Sequence, residues 1–422
     1  MHASSTADLA RNAVTTGLSA RYRRVRARTE ALVAGLSAED LVVQSMPDAS
    51  PGKWHLAHTT WFFEAFVLVP AGVAPWREDW LPLFNSYYES LGPRHPRPAR
   101  GMLSRPSLDE VIEYRRAIDQ RVLAQLERGC PGDEAAQVIE LGLQHEQQHQ
   151  ELLVTDIKHM LSLNPLAPAW RPRASRQAGS AIAELAFHER PEEGRTLVGA
   201  PQDGFAFDSE RPRHTVWLRP YALAARPVTN GEYATFIEAG GYRDASLWLS
   251  DGWATVQSEG WHAPLYWRHG DDGWTQFTVR GLEPVDPAEP VCHVSYYEAD
   301  AFARWACMRL PTEAEWEHVA ATREWRGEFA NGDALHPQPV GRESFGGNVW
   351  EWTASAYLPY PGFVPLAGAA GEYNGKFMSG QMVLRGGSCA TPREHLRPSY
   401  RNFFPPQARW QFSGIRLARD LK

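Results

Sequence analysis

From Leu143 to Leu163 the chain contains neither glycine nor proline, and in this run stands Gln144-His145-Glu146-Gln147-Gln148-His149-Gln150-Glu151. Val138, Ile139 and Leu141 before it, and Leu152, Leu153 and Val154 after it, form an apolar stripe, so the spacing predicts a helix over 134–163. Two histidines four apart on a helix lie about 40° from each other around the axis, so both imidazoles can reach one ion. The plainer alternative is a solvated polar face.

A further histidine strengthens the metal reading. Trp54-His55-Leu56-Ala57-His58-Thr59-Thr60-Trp61-Phe62-Phe63-Glu64 is an apolar, aromatic stretch with two histidines. His58 lies four residues after Trp54 and four before Phe62, which turns it inward. His55, three earlier, shares that face, so the spacing leaves both open as a third ligand. The pattern His145-Glu146-x-x-His149 also matches the zinc-protease motif, with Glu146 as general base. That motif is short, and nothing else in the chain supports a protease.

With 422 residues the chain is long enough for two or three domains. Its formal net charge is −7, without a basic block of useful length, which argues against nucleic acid as a partner. No run approaches the roughly 20 apolar residues of a spanning helix, and Met1 to Ser5 opens no apolar signal core. Four scattered cysteines (Cys130, Cys292, Cys307, Cys389) show no metal-type pairing, so a reducing, cytoplasmic setting is expected. Of 17 tryptophans, 12 follow residue 184, so the two halves differ in character.

The first half reads as helical: 19–36, the aromatic stretch 53–68, a helix to about Glu127 opened by the capping box Ser107-x-x-Glu110, and 134–163. Four helices with one long, proline- and aromatic-rich connection (80–106) suggest a four-helix bundle, where metal sites are built from facing helices. Residues 1–163 form this domain, 164–184 a proline-rich linker and 185–422 a second domain. There, short strands (195–198, 215–218) alternate with Gly/Pro/Asp turns and two short helices (229–239, 295–308), an α+β pattern.

Five ordered motifs mark the second half: Pro227-Val228-Thr229-Asn230-Gly231-Glu232-Tyr233, Arg309-Leu310-Pro311-Thr312-Glu313-Ala314-Glu315-Trp316-Glu317, Gly347-Asn348-Val349-Trp350-Glu351-Trp352-Thr353, Leu384-Arg385-Gly386-Gly387-Ser388 and Gly414-Ile415-Arg416-Leu417-Ala418. On these it resembles the formylglycine-generating-enzyme fold, a C-type-lectin variant. The first half resembles the DinB-like bundle. The order of the two domains, with Leu56-Ala57-His58 and His145-Glu146-Gln147-Gln148-His149, is similar to the iron(II)-dependent sulfoxide synthases of ergothioneine biosynthesis and their ovothiol-pathway relatives.

That resemblance implies Fe(II) held by His58, His145 and His149, with His58 chosen over His55. It implies O2-dependent joining of cysteine or γ-glutamylcysteine to the imidazole of trimethylhistidine (hercynine), yielding a sulfoxide. Three neutral imidazoles leave the ion's charge uncompensated, which favours an anionic thiolate beside it. By the same resemblance Gln148 contacts the substrate imidazole and Asn402 stands at the trimethylhistidine site, where the neighbouring Phe403 and Phe404 are candidates to hold the trimethylammonium group by cation–π contact. Tyr87 and Tyr88, in the long loop, supply a proton and an electron; Tyr373 is the alternative from the second domain. Arg94, Arg97, Arg100 and Arg105 crowd that loop, and Arg94 and Arg97 are candidates for substrate carboxylates. Phe404 stands where γ-glutamylcysteine-using branches carry an aspartate, so cysteine is the expected thiol. Cys389 has no second cysteine after it, which rules out a cysteine-pair copper site there, and is expected to be small and buried. Competing expectations are plain histidine as acceptor and a non-catalytic ligand-binding module.

Overall fold

The computed structural model describes residues 6–129, 132–172, 181–332 and 334–422; Cys130 lies outside them. The contacts divide the chain into two compact units, Met1–Leu163 and Asn164–Lys422.

The first unit is built on helices α1 (Thr6–Val33), α2 (Gly52–Phe63), α3 (Leu81–Phe84), α4 (Leu108–Glu127) and α5 (Gly132–Ser162). The short α3 belongs to the long connection. The other four make the bundle: α2 packs against α4 and α5, and α1 closes the ring against α5 and α4. Helix α4 starts where the capping box sets it, with Glu110 N donating to Ser107 Oγ and Ser107 N donating to the Glu110 carboxylate at 2.8 Å. Every residue of α2 is buried, His55 and His58 included, which fits an apolar helix enclosed by its neighbours. The helix runs on to Leu68, as the sequence pattern leads one to expect, with residues Glu64–Leu68 widening into a π-helix, and the buried Glu64 accepts the Tyr114 hydroxyl at 2.6 Å.

In the second unit β1 (Phe187–Arg190) and β12 (Ala418–Asp420) flank β4 (Tyr221–Ala224), bringing the two ends of the domain onto one sheet. β2 (Gly194–Val198) pairs antiparallel with β3 (His214–Leu218). β5 (Trp267–Gly270), β6 (Gly273–Thr278) and β7 (Gly281–Pro284) form a meander. β10 (Asn402–Phe404), β9 (Met382–Arg385), β8 (Trp350–Ala356) and β11 (Ser413–Gly414) form the remaining sheet in that order. Helices α6 (Asn230–Glu238), α7 (Ser250–Glu259), α8 (Tyr296–Trp305) and α9 (Glu313–Ala320) complete it. The fold class is the expected α+β.

Three of the five motifs meet in one buried cluster. Arg416 pairs with both oxygens of Glu351 at 2.6 Å, and the Trp316 indole N–H donates to the same carboxylate. A buried carboxylate is stable only with such partners, and removing one would leave an uncompensated charge. Cys389 is fully buried, as expected of a small core residue.

Candidate metal centre

Helices α2 and α5 face each other inside the bundle, and this places His58, His145 and His149 together. One ring nitrogen from each lies within 4.8 Å of the others, all three side chains being buried. His58 Nε2 is 3.3 Å from His145 Nε2. Two nitrogens bound at about 2.1 Å and at right angles would stand about 3 Å apart, so this spacing fits a shared ion.

The surroundings orient the rings. His58 donates its Nδ1–H to the Phe84 carbonyl at 2.7 Å, an acceptor that the end of α3 supplies. Its ring stacks on Trp54 at 4.5 Å and on Trp61 at 5.6 Å. The Phe62 ring lies 4.8 Å from that of His145. Burial pushes the His145 imidazole down to about 4 and holds His58 and His149 well below the usual histidine range. Three desolvated, neutral imidazoles are a donor set suited to a divalent transition metal, since each offers a lone pair.

His55 also points inward, but behind the cluster. Its Nδ1 is 2.9 Å from His149 Nδ1 and its Nε2 is 3.0 Å from Asp156 Oδ2. Spacing alone had left His55 and His58 open because α2 is enclosed on all sides. Glu146 is no base for this site: it is fully buried and bound by Arg115 at 2.6 Å, Arg26 at 2.9 Å and the Thr29 hydroxyl at 2.6 Å. Those arginines hold its carboxyl down to about 2 despite burial, so the protease pattern is structural here.

The long connection brings further candidates into the same unit. Tyr88 is buried, 5.7 Å from Trp61 and 4.9 Å from Phe66 by ring centres. Asn85 fixes this turn by accepting Tyr88 N–H and donating to Tyr88 O. Tyr87 is half-buried, with its hydroxyl 3.5 Å from Arg97 Nη1. Arg94 is largely exposed and pairs with Glu89, while Arg97 also binds the Asp48 carbonyl. Arg100 is buried at 3 % exposure and hydrogen-bonds to Ser50 and Ser86 hydroxyls. The composition of the loop singles out no arginine; burial does. Gln148 is half-buried on α5, beside His149.

In the second unit, Asn402, Phe403 and Phe404 form half-buried β10. Phe403 stacks on Tyr357 at 4.2 Å and Phe377 at 5.6 Å. Phe404 lies edge-on to Trp410, and Tyr373 packs near Phe377 at 5.6 Å.

Comparisons with known proteins agree with this architecture. Residues 21–153 match the DinB superfamily. Residues 190–342 and 327–421 match the sulfatase-modifying factor enzyme 1-like domain. The hercynine oxygenase of Mycobacterium tuberculosis is 35% identical, over 96% of this chain and 99% of its own length. The chain belongs to the hercynine oxygenase family. The family's enzyme from Mycolicibacterium thermoresistibile is also 35% identical, over 94% of this chain and 93% of its own. The formylglycine-generating enzyme of Streptomyces coelicolor is 32% identical but matches only 52% of this chain, covering 81% of its own length. Membership of the hercynine oxygenase family makes the protein an oxygenase, and the buried histidine cluster is consistent with a metal. Among the described residues, no helix is long and apolar enough to cross a membrane.

Proposed function

We propose that the protein joins the thiol of cysteine to the imidazole C2 of hercynine with O2, using Fe(II) held by His58, His145 and His149. The observation that carries this reading is the buried, neutral three-histidine cluster in a chain matched over more than nine-tenths of its length by hercynine oxygenases. The reaction balances without another reductant. The S–H and C2–H bonds break, a C–S bond forms, one oxygen atom becomes the sulfoxide and the other leaves as water.

Iron(II), when bound, supplies one-electron chemistry with O2 and brings both substrates to one centre. The three imidazoles contribute no negative charge, which favours thiolate over thiol at the site. Aromatic walls from Trp54, Trp61 and Phe62 exclude water from the ligands. Arg100 is the best candidate for a substrate carboxylate. It is a buried cation, held down to about 9 by burial and so still charged at neutral pH; its protein hydrogen bonds go to hydroxyls. Arg97 is the next candidate, and Arg94, already paired with Glu89, is the weakest. Tyr87 and Tyr88 are assigned to proton and electron delivery, ahead of Tyr373. Gln148 is assigned to the substrate imidazole, and Asn402, Phe403 and Phe404 to the trimethylammonium end. The apolar Phe404 supports free cysteine over γ-glutamylcysteine, since it offers no carboxylate to a γ-glutamyl ammonium. A cytoplasmic setting fits the small-molecule substrates.

The test is direct. Protein loaded anaerobically with Fe(II) is given hercynine, cysteine and O2, and the sulfoxide is quantified by mass spectrometry. We expect faster turnover with hercynine than with histidine. Faster turnover of histidine would move the protein to the ovothiol-type reaction, and no O2 consumption with either acceptor would make it a binding module.

A further inference from the structure

We propose that His55 and Asp156 are positioning residues that fix which nitrogen of His149 is turned toward the histidine cluster. The inference rests on the reading of His58, His145 and His149 as a metal centre.

The chain of contacts runs in one direction. Asp156 Oδ2 accepts the Ser50 backbone N–H at 2.8 Å and lies 3.0 Å from His55 Nε2. An ionised carboxylate only accepts, so His55 Nε2 carries a proton. His55 Nδ1 lies 2.9 Å from His149 Nδ1, and one proton must sit between these two nitrogens. Only one placement leaves His149 Nε2 with a lone pair: His149 Nδ1–H donates, and His55 Nδ1 accepts. A neutral imidazole has a single N–H, so a proton on Nδ1 leaves Nε2 free as a donor to a metal. The sequence Asp156–His55–His149 is thus a relay of orientation, ending at a ligand atom.

The relay is shielded from water. Ser50, His55 and Asp156 are 4 %, 2 % and 5 % exposed, so solvent does not compete for these bonds and their directions are enforced. His58 reaches the same state by a different device, its Nδ1–H being taken by the Phe84 carbonyl. Two of the three candidate ligands therefore have their tautomer imposed by the protein. Partners of this kind orient ligand rings, and their loss costs about 10–100-fold in metal affinity.

The experiment uses the full chain and Co(II) as an optical probe. Wild type should bind Co(II) with d–d absorption, and His55→Leu should bind about 10–100-fold more weakly. His55→Asn, whose amide oxygen stands near the place of Nδ1, should recover most of the loss. A purely space-filling role predicts the reverse, with leucine at least as good as asparagine. In wild-type protein labelled with 15N-histidine, His149 should show the Nδ1–H tautomer and His55 the Nε2–H tautomer; this decides the matter if His55→Leu does not fold. Equal affinity in wild type and His55→Leu, or an Nε2–H on His149, would overturn the relay alone. A wild type that takes up no Co(II) would overturn the metal-centre reading and the relay together.

Discussion

The guanidinium carbon of Arg100 lies 3.4 Å from the centre of the Trp54 ring, and the same ring stacks on His58 at 4.5 Å. A buried cation is thus tied by one aromatic ring to a candidate metal ligand. Arg100→Met should raise KM for the thiol substrate by about 10–100-fold, the loss expected for a charge-assisted hydrogen bond. Iron content should stay near stoichiometric. An unchanged KM, read from initial rates of O2 consumption, would remove Arg100 from the substrate site and leave Arg97.

His145→Ala and His149→Ala should each abolish stoichiometric iron binding, measured by elemental analysis after anaerobic loading. Treatment of wild type with a chelator should remove activity, and Fe(II) should restore it. Full iron content in both variants would exclude these side chains as ligands.

With Tyr87 and Tyr88 in the proposed role of proton and electron source, Tyr88→Phe and Tyr87→Phe should shift products from sulfoxide toward cysteine sulfinate while substrate binding remains. Mass spectrometry of both products gives the ratio. If the double variant keeps the wild-type ratio, Tyr373 becomes the residue to test.

Phe404→Asp should improve the use of γ-glutamylcysteine relative to cysteine, since a carboxylate gains an ammonium partner. The comparison is of kcat/KM for the two thiols. An unchanged ratio would show that this position does not select the thiol.

Glu313→Gln should destabilise the second unit by about 3 kcal/mol at pH 7, because Arg401 and Arg385 would lose their shared carboxylate. Those arginines hold the Glu313 carboxyl below its usual range against burial. A depressed carboxyl contributes stability above its unfolded value, and that contribution fades as pH falls through the folded value. The gap between wild type and variant, measured by denaturant unfolding, should therefore be full at neutral pH and narrow below about pH 4.5. A gap that does not vary with pH would exclude ionisation of Glu313 as its source.

Much of this arrangement is legible in the residues themselves. Ser107 and Glu110 announced the start of α4, because a capping box depends on residues three apart and on little else. The pair His145 and His149 was legible for the same reason, being local to one helix. What long-range packing decides was not. Arg26 sits in a helix rich in Arg and Glu, where nothing local marks it for burial, yet it is buried against Asp119 and Glu146 from two other helices. Helix α9 begins inside the motif 309–317. It is eight residues long, with Trp316 anchored on distant Glu351. Asp156 gave no signal at all, since its partners Ser50 and His55 lie about a hundred positions away.

The Arg26–Glu146–Arg115 cross-tie has a consequence for how such chains are sorted. The glutamate that would mark a peptide hydrolase is here a rivet, fastening one rod to two others, while His145 and His149 on the same rod join His58 in the histidine cluster. A text search for the five-letter protease signature would therefore misfile the protein by its anchor.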